Sequence, residues 1–268
     1  MSERKAIFIT GGGSGIGRAI AQRFAGLGWF VGLGDVNEAG MAETAALLPD
    51  GQSFSYTFDV RDRGAWDAAL AAFAEASGGR IDMLANNAGV AIGGLLANLT
   101  QDEIDLCLDV NLRGVIYGAQ AVYPYLKASA PGSCLLNTGS AAGIYGVGAM
   151  SVYCATKMGV RAVTESLDGE WAREGIRVRS LMPSFIDTPL LSGPSNHGDN
   201  TSMHDRVASA GLEFTPVEEV ANAAWDAAHG EKLHWVIGKT AKKSWFAARW
   251  TPGKLRRAAR GMARAMGR

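Results

Sequence analysis

Only three of the 268 residues are cysteine, and Cys107, Cys134 and Cys154 stand far apart with no C-x-x-C pair and no histidine cluster beside them. Neither a zinc site nor a disulfide framework is expected; the thiols read as free and buried in a reducing, cytoplasmic setting. No apolar run approaches the ~18–20 residues of a membrane-spanning helix. About four apolar residues precede the first glycines, too few for a secretory signal core. A nucleotide triphosphatase loop, G-x-x-x-x-G-K-S/T, is missing as well. Net charge is also absent, since 26 basic and 26 acidic residues cancel.

That cancellation hides an asymmetry. Ten of the basic residues and none of the acidic ones lie between Lys239 and Arg268, leaving 16 basic against 26 acidic in the first 238. An acidic body that carries a basic tail is a poor partner for nucleic acid, and none is expected. With 47% hydrophobic and 19% charged residues, the chain has enough apolar material for a substantial core.

Short apolar runs alternate with longer stretches of helical spacing. Strands are expected at Ala6–Thr10, Phe30–Gly34, Ser53–Phe58, Met83–Asn86, Cys134–Thr138, Val178–Met182 and Trp235–Ile237, with helical patterns such as Ala19–Leu27 and Trp66–Ala76 between them. This alternation predicts βαβ units and a parallel sheet covered on both faces. Residues 1–238 read as one dinucleotide-binding and catalytic domain. Within it, Ser184–Leu212 is a long loop with one short helix at most, a candidate substrate lid.

Thr10-Gly-Gly-Gly-Ser-Gly-Ile-Gly17 follows the first strand and opens the first helix. Glycine at Gly11, Gly13, Gly15 and Gly17 lets the backbone approach a pyrophosphate, and the unpaired N–H groups around Ser14 and Ile16 suit an anion. Asp35 closes the second strand; its carboxylate can accept from ribose hydroxyls and repel a 2′-phosphate, so NAD is expected rather than NADP. The same residue could instead be a turn residue or cap before Asn37. Tyr153 and Lys157 stand four apart in a helical pattern, on one face, where an ammonium can favour a phenolate. Asn87-Ala88-Gly89 follows the fourth strand, Asn111 lies in the next helix, and Thr138-Gly-Ser140 ends the fifth. Ligand sites of open α/β sheets gather at these carboxyl ends.

In this combination of motifs the chain, from about Ala6 to Ile237, resembles the short-chain dehydrogenase/reductase family of the common single-domain type. The resemblance implies a Rossmann-like doubly wound α/β sandwich whose seven-stranded parallel sheet has the order 3-2-1-4-5-6-7. It implies an NAD(H)-dependent oxidoreductase acting on a secondary alcohol or ketone. Tyr153 would be the acid/base and Ser140 would hold the substrate oxygen. Lys157 would lower the tyrosine pKa and bind the nicotinamide ribose, and Asn111 would anchor a water relaying protons. Asp59 and Val60 would lie on the adenine side, and Asn87, Ala88 and Gly89 along the cofactor, Asn87 more structural than chemical. Pro183, Ile186 and Thr188 would be at the nicotinamide. The family's usual Pro-Gly is Pro183-Ser184 here, which would add a hydroxyl beside the nicotinamide.

Ala142, Tyr145, Val147, Phe185, Leu190 and Leu191 are expected around the carbonyl, with no cation poised to clamp a carboxylate, so a lipophilic, uncharged small molecule is expected as substrate. A 3-oxoacyl-thioester reductase and a non-enzymatic nucleotide-sensing scaffold are the alternatives. His197 and His204 read as solvated lid residues. Association as a homodimer or homotetramer is expected through long helices near Gln101–Lys127 and Ser151–Arg173. In the tail, Leu255, Ala258, Ala259, Met262 and Met266 fall on one helical face and Arg256, Arg257, Arg260 and Arg264 largely on the other, with Trp245, Phe246 and Trp250 before them. Such a segment can touch an anionic membrane surface peripherally, or dock on the acidic body or across a subunit interface.

Overall fold

The computed structural model describes residues 4–192, 202–209 and 211–266. In chain order the elements are β1 (Ala6–Thr10), α1 (Gly15–Ala25), β2 (Phe30–Asp35), α2 (Glu38–Ala46), β3 (Ser53–Thr57), α3 (Arg63–Ala76), β4 (Met83–Asn86), α4 (Gln101–Leu108), α5 (Gly114–Ala128), β5 (Cys134–Thr138), α6 (Ser151–Trp171), β6 (Arg177–Pro183), α7 (Pro189–Ser192), α8 (Met203–Ser209), α9 (Val217–His229), β7 (His234–Ile237), α10 (Lys239–Trp250) and α11 (Pro252–Met266). All seven strands run parallel in the order β3-β2-β1-β4-β5-β6-β7. The family resemblance implied this order, and no strand needed to be added or removed.

The central strands β1, β4 and β5 are buried along their whole length because both of their faces are covered. Successive residues of β1 supply opposite layers. Ile7 and Ile9 pack with Ile20, Phe24, Leu33, Val220 and Ala224 on one face; Ala6 and Phe8 pack with Phe30, Trp66, Leu70 and Phe73 on the other. Phe8, Trp66 and Phe73 are fully buried, and burial of this size contributes roughly 1.5–3 kcal/mol per side chain. Two β2 positions must lack a Cβ, for at Gly32 it would run into Phe8 and Phe73 and at Gly34 into Phe58.

Two stretches differ from expectation. The segment after Ser184 holds two short helices, α7 and α8, rather than one at most; Thr188 donates to the Ile186 carbonyl and Leu191 N–H to the Thr188 carbonyl, which starts the first. The helix through Asn111 is continuous from Gln101 to Ala128 but widens into a π turn at Asp109–Arg113. His197 and the side chains of Met262, Arg264 and Met266 lie outside the described residues.

Candidate active site

The carboxyl ends of β1, β4 and β5 are laced together by side chains that short sequence patterns only hint at. Thr10 Oγ1, at the tip of β1, accepts from the N–H groups of Asn87 (3.0 Å) and Ala88 (3.1 Å). Asn87 in turn donates to the Thr10 carbonyl at 3.0 Å and accepts from Thr138 Oγ1 at 3.3 Å, joining the glycine loop to the end of β5. The sheet ends at one level here because three strand tips share these polar groups.

The glycine loop has no room for side chains. A Cβ at Gly11 (φ +67°) would stand 3.0 Å from the Ala88 Cα, and one at Gly17 would collide with the Gly11 carbonyl. Ser14 is the N-cap of α1, yet its side chain makes no capping bond, so the first-turn N–H groups keep their pull on an anion. Ile16 packs against the core layer of Ile7 and Ile9. Thr188, just before α7, leans over Gly15; a Cβ on Gly15 would meet Thr188 Cβ at 3.2 Å.

Asp35 takes up the turn role weighed for it. One carboxylate oxygen accepts from Gly13 N–H at 2.9 Å and the other from Asn37 N–H at 3.0 Å, which ties the loop to β2 and leaves acceptor capacity toward the cleft. Arg18, which sequence reasoning missed, comes to the same place. It donates to the carbonyls of Gly13 (2.7 Å) and Gly40 (3.3 Å), to Thr44 Oγ1 (3.0 Å) and to Glu43 (2.8 Å). Its guanidinium is therefore committed to the protein. Asp59 is captured by Arg61, which donates side-chain N–H groups at 2.8 and 2.6 Å and its backbone N–H at 2.9 Å; these bonds hold its carboxyl below the usual carboxylate range. Val60 is buried, and its carbonyl accepts from Trp66 Nε1 at 2.9 Å.

At the other end of the cleft, α6 presents Tyr153 and Lys157 beside Ser140. Lys157 is buried, and its Nζ donates to the Thr138 carbonyl at 2.9 Å while standing 5.7 Å from the centre of the Tyr153 ring. Ser140 sits beside the Tyr153 phenol, and its Oγ accepts from Ala142 N–H at 3.1 Å. Burial pushes the phenol up to about 12, only partly opposed by the neighbouring Ser140. Burial likewise brings the Lys157 ammonium down to about 8. The expected lowering of Tyr153 by Lys157 is thus outweighed in this arrangement, because desolvation penalises both charged forms.

Asn111 sits in the π turn, fully buried, with its side-chain amide clamped to the Val90 backbone by two bonds of 2.8 Å. A π turn also displaces a backbone carbonyl from the helical ladder. Gly89 abuts this clamp, its Cβ position 3.1 Å from Asn111 Oδ1 and 3.8 Å from Lys157 Nζ. The role of Val90 carried no sequence signal, because it acts through its backbone.

Of the residues expected around the carbonyl, Tyr145, Val147 and Phe185 are half-buried, and Leu190 is exposed. Val147 N–H donates to Cys154 Sγ at 3.3 Å. Ile186 is buried, pairs with Thr215 as an isolated parallel bridge and faces the core, so only its backbone is free for a ligand. Pro183 ends β6 opposite Ile237. The Ser184 hydroxyl has neighbours of its own in the fold. It lies 3.4 Å from Thr215 Oγ1 and against Gly238, a position with φ +87° where a Cβ would strike it. His204, on α8, stacks on Phe214 at 4.5 Å. Among the described residues no group of three metal-binding side chains occurs.

A parallel seven-stranded sheet with a glycine loop at one strand tip and a Ser–Tyr–Lys set at another defines a class of nucleotide-dependent oxidoreductases. Residues 5–197 match the model of the short chain dehydrogenase family, and the chain belongs to that family. It is 38% identical over 224 residues to the levodione reductase of Leifsonia aquatica, covering 82% of this chain and 83% of that protein. It is 33% identical over 220 residues to the meso-2,3-butanediol dehydrogenase of Serratia marcescens, covering 82% and 85%. A solved structure of a 3-ketoacyl-(acyl-carrier-protein) reductase from Brucella melitensis, complexed with NADH, superposes with a TM-score of 0.78 at 29% identity, covering 89% of this chain and 99% of that one.

Proposed function

We propose that this chain is an NAD(H)-dependent oxidoreductase that interconverts a secondary alcohol and a ketone, with Tyr153 as the proton donor and acceptor. The observation that carries the reading is the meeting of Ser140, Tyr153 and Lys157 at one strand tip, locked through Thr138 and Asn87 to the glycine loop. The cofactor fits the residues present: a cradle in which a Cβ at Gly11 or Gly17 would collide, a helix N-terminus without a side-chain cap, and a carboxylate at Asp35. Gly11–Gly17 would hold the pyrophosphate and Asp35 the adenosine ribose, with Thr188 and the Ile186 backbone toward the nicotinamide. When bound, the nicotinamide supplies the hydride acceptor or donor.

Discrimination against a 2′-phosphate rests on charge. Asp35 repels it, and Arg18, a cation at the same corner, already has Gly13, Gly40, Thr44 and Glu43 as partners. In ketone reduction the phenol gives its proton to the substrate oxygen, which Ser140 orients. In alcohol oxidation the same groups run in reverse. Asn111, through the π turn it occupies, positions the relay beside Lys157.

The mouth formed by Ala142, Tyr145, Val147, Phe185, Leu190 and Leu191 suits a lipophilic, uncharged substrate. The likeness to the Brucella reductase keeps β-keto thioesters as a second reading. Exposed Ile116 on α5 and Met158 on α6 support assembly into a dimer or tetramer through those helices. No helix among the described residues is long and apolar enough to cross a membrane. Incubation with NAD⁺ and a panel of secondary alcohols, and with NADH and ketones or a 3-oxoacyl thioester, should show absorbance change at the nicotinamide band. Turnover of the thioester alone would favour the second reading; none with any substrate would end both.

A further inference from the structure

Helix α10 has two unlike faces. Its inner face is docked: Ala241 is fully buried, and Trp245 lies under the Arg161 guanidinium at 4.8 Å and edge-on to His234 at 5.6 Å. Its first residue is fastened to the body, Lys239 N–H to Glu213 at 2.7 Å and its ammonium to the same carboxylate at 3.1 Å. The outer face is different. Phe246 is 63% exposed and Trp250 65% exposed, one helical turn apart with ring centroids at 6.5 Å. Lys242, Lys243 and Arg249 flank them in solvent. Beyond Pro252, exposed Lys254, Arg256, Arg257 and Arg260 continue the positive charge along α11.

Two large aromatics on one exposed face are costly in water, and the acidic body does not cover them. An isolated aromatic on a surface means little. A pair of them ringed by cations, in a 30-residue segment with ten basic and no acidic residues, matches one surface: anionic lipid headgroups over an acyl layer. Tryptophan and phenylalanine settle at that boundary while lysine and arginine meet the phosphates. Duplex nucleic acid would use the cations but leave both rings in water, and the acidic body would oppose it.

We propose that α10 and α11 form a peripheral docking element for anionic bilayers, with Phe246 and Trp250 inserted and Trp245 holding the helix to the body. The oxidoreductase chemistry is independent of this, so each can fail alone. Because Glu213 and Thr215 belong to the segment that returns from the lid, the contact lies beside the lid's base.

The test uses the full-length protein, sedimented with phosphatidylcholine vesicles with and without phosphatidylglycerol. The wild type should pellet with the anionic vesicles, and added salt should weaken this. Phe246→Ala/Trp250→Ala should lower the partition about tenfold while leaving thermal stability and any turnover of a water-soluble substrate unchanged. Equal pelleting with both vesicle types, or no loss in the double variant, would overturn the proposal. So would tight binding to a DNA duplex without vesicle binding. A wild type that sediments as a larger oligomer, reduced in size by the double substitution, would assign the face to a second copy of the chain and overturn it too.

Discussion

The two ends of the cleft are organised by opposite means. At the β1–β2 end, backbone groups do the holding: Asp35 accepts from the N–H groups of Gly13 and Asn37, and Arg18 donates to the carbonyls of Gly13 and Gly40. At the β5–α6 end, burial keeps two ionisable groups away from their ordinary values, Tyr153 up at about 12 and Lys157 down at about 8. The first arrangement shapes a rigid anion cradle. The second keeps a phenol protonated and a lysine near its own titration point, which suits proton transfer and costs stability.

The largest effect that would break this contrast is on turnover. Tyr153→Phe should lower kcat by roughly 10²–10⁴-fold, the range of a lost general acid or base, while NADH affinity measured by fluorescence titration stays within about twofold. Retained turnover would remove Tyr153 from its role. At the other end, Asp35→Ala should leave kcat nearly intact and reduce the NAD-over-NADP preference in kcat/KM by about tenfold, as expected for removal of one charge near a phosphate. An unchanged preference would place discrimination elsewhere.

A smaller effect concerns stability. Between about pH 8 and the ordinary lysine value of 10.5, an unfolded chain holds a proton that folded Lys157 has released, so this residue makes stability rise with pH across that window. Below it, the folded lysine carries its charge at a cost. Lys157→Met should therefore raise Tm by about 2–4 °C at pH 7, after the loss of the Thr138 hydrogen bond, with the gain fading toward pH 10 and activity gone. A lower Tm at pH 7 would contradict a buried, penalised ammonium. Tyr153 works the other way above pH 10: the unfolded phenol has lost a proton that the folded one keeps to about 12, so stability falls there.

The smallest expected change is at Ser184. Since its hydroxyl faces Thr215 and Gly238, Ser184→Gly should leave kcat/KM within about twofold. Gly238→Ala should destabilise by about 1–3 kcal/mol in a denaturant melt, and Ser184→Gly should recover part of that loss. A large kinetic effect of Ser184→Gly would return the hydroxyl to the cleft.

Strand positions, the glycine loop and the Tyr153–Lys157 spacing were legible in the sequence because they are local: a short apolar run, a turn that excludes Cβ, and a helical i to i+4 offset each need only a few consecutive residues. The same logic named Asp35 from its place at a strand end, and the family's motifs named Ser140 and Asn111. It did not reach Arg18, Val90 or the bonds Thr10 makes, whose partners come from other parts of the chain or are backbone atoms without a side-chain signature. Nor could it separate Trp245, which docks on Arg161, from Phe246 beside it, which faces solvent; composition treats the two alike.

By itself, then, the order of residues determined the sheet, the turn chemistry and which groups could react, since these follow from near neighbours and steric exclusion. Only the tertiary structure decided the direction in which those groups are pushed. Desolvation and the capture of a side chain by a distant carbonyl depend on what packs around an atom, and that environment exists only once the strand tips have come together.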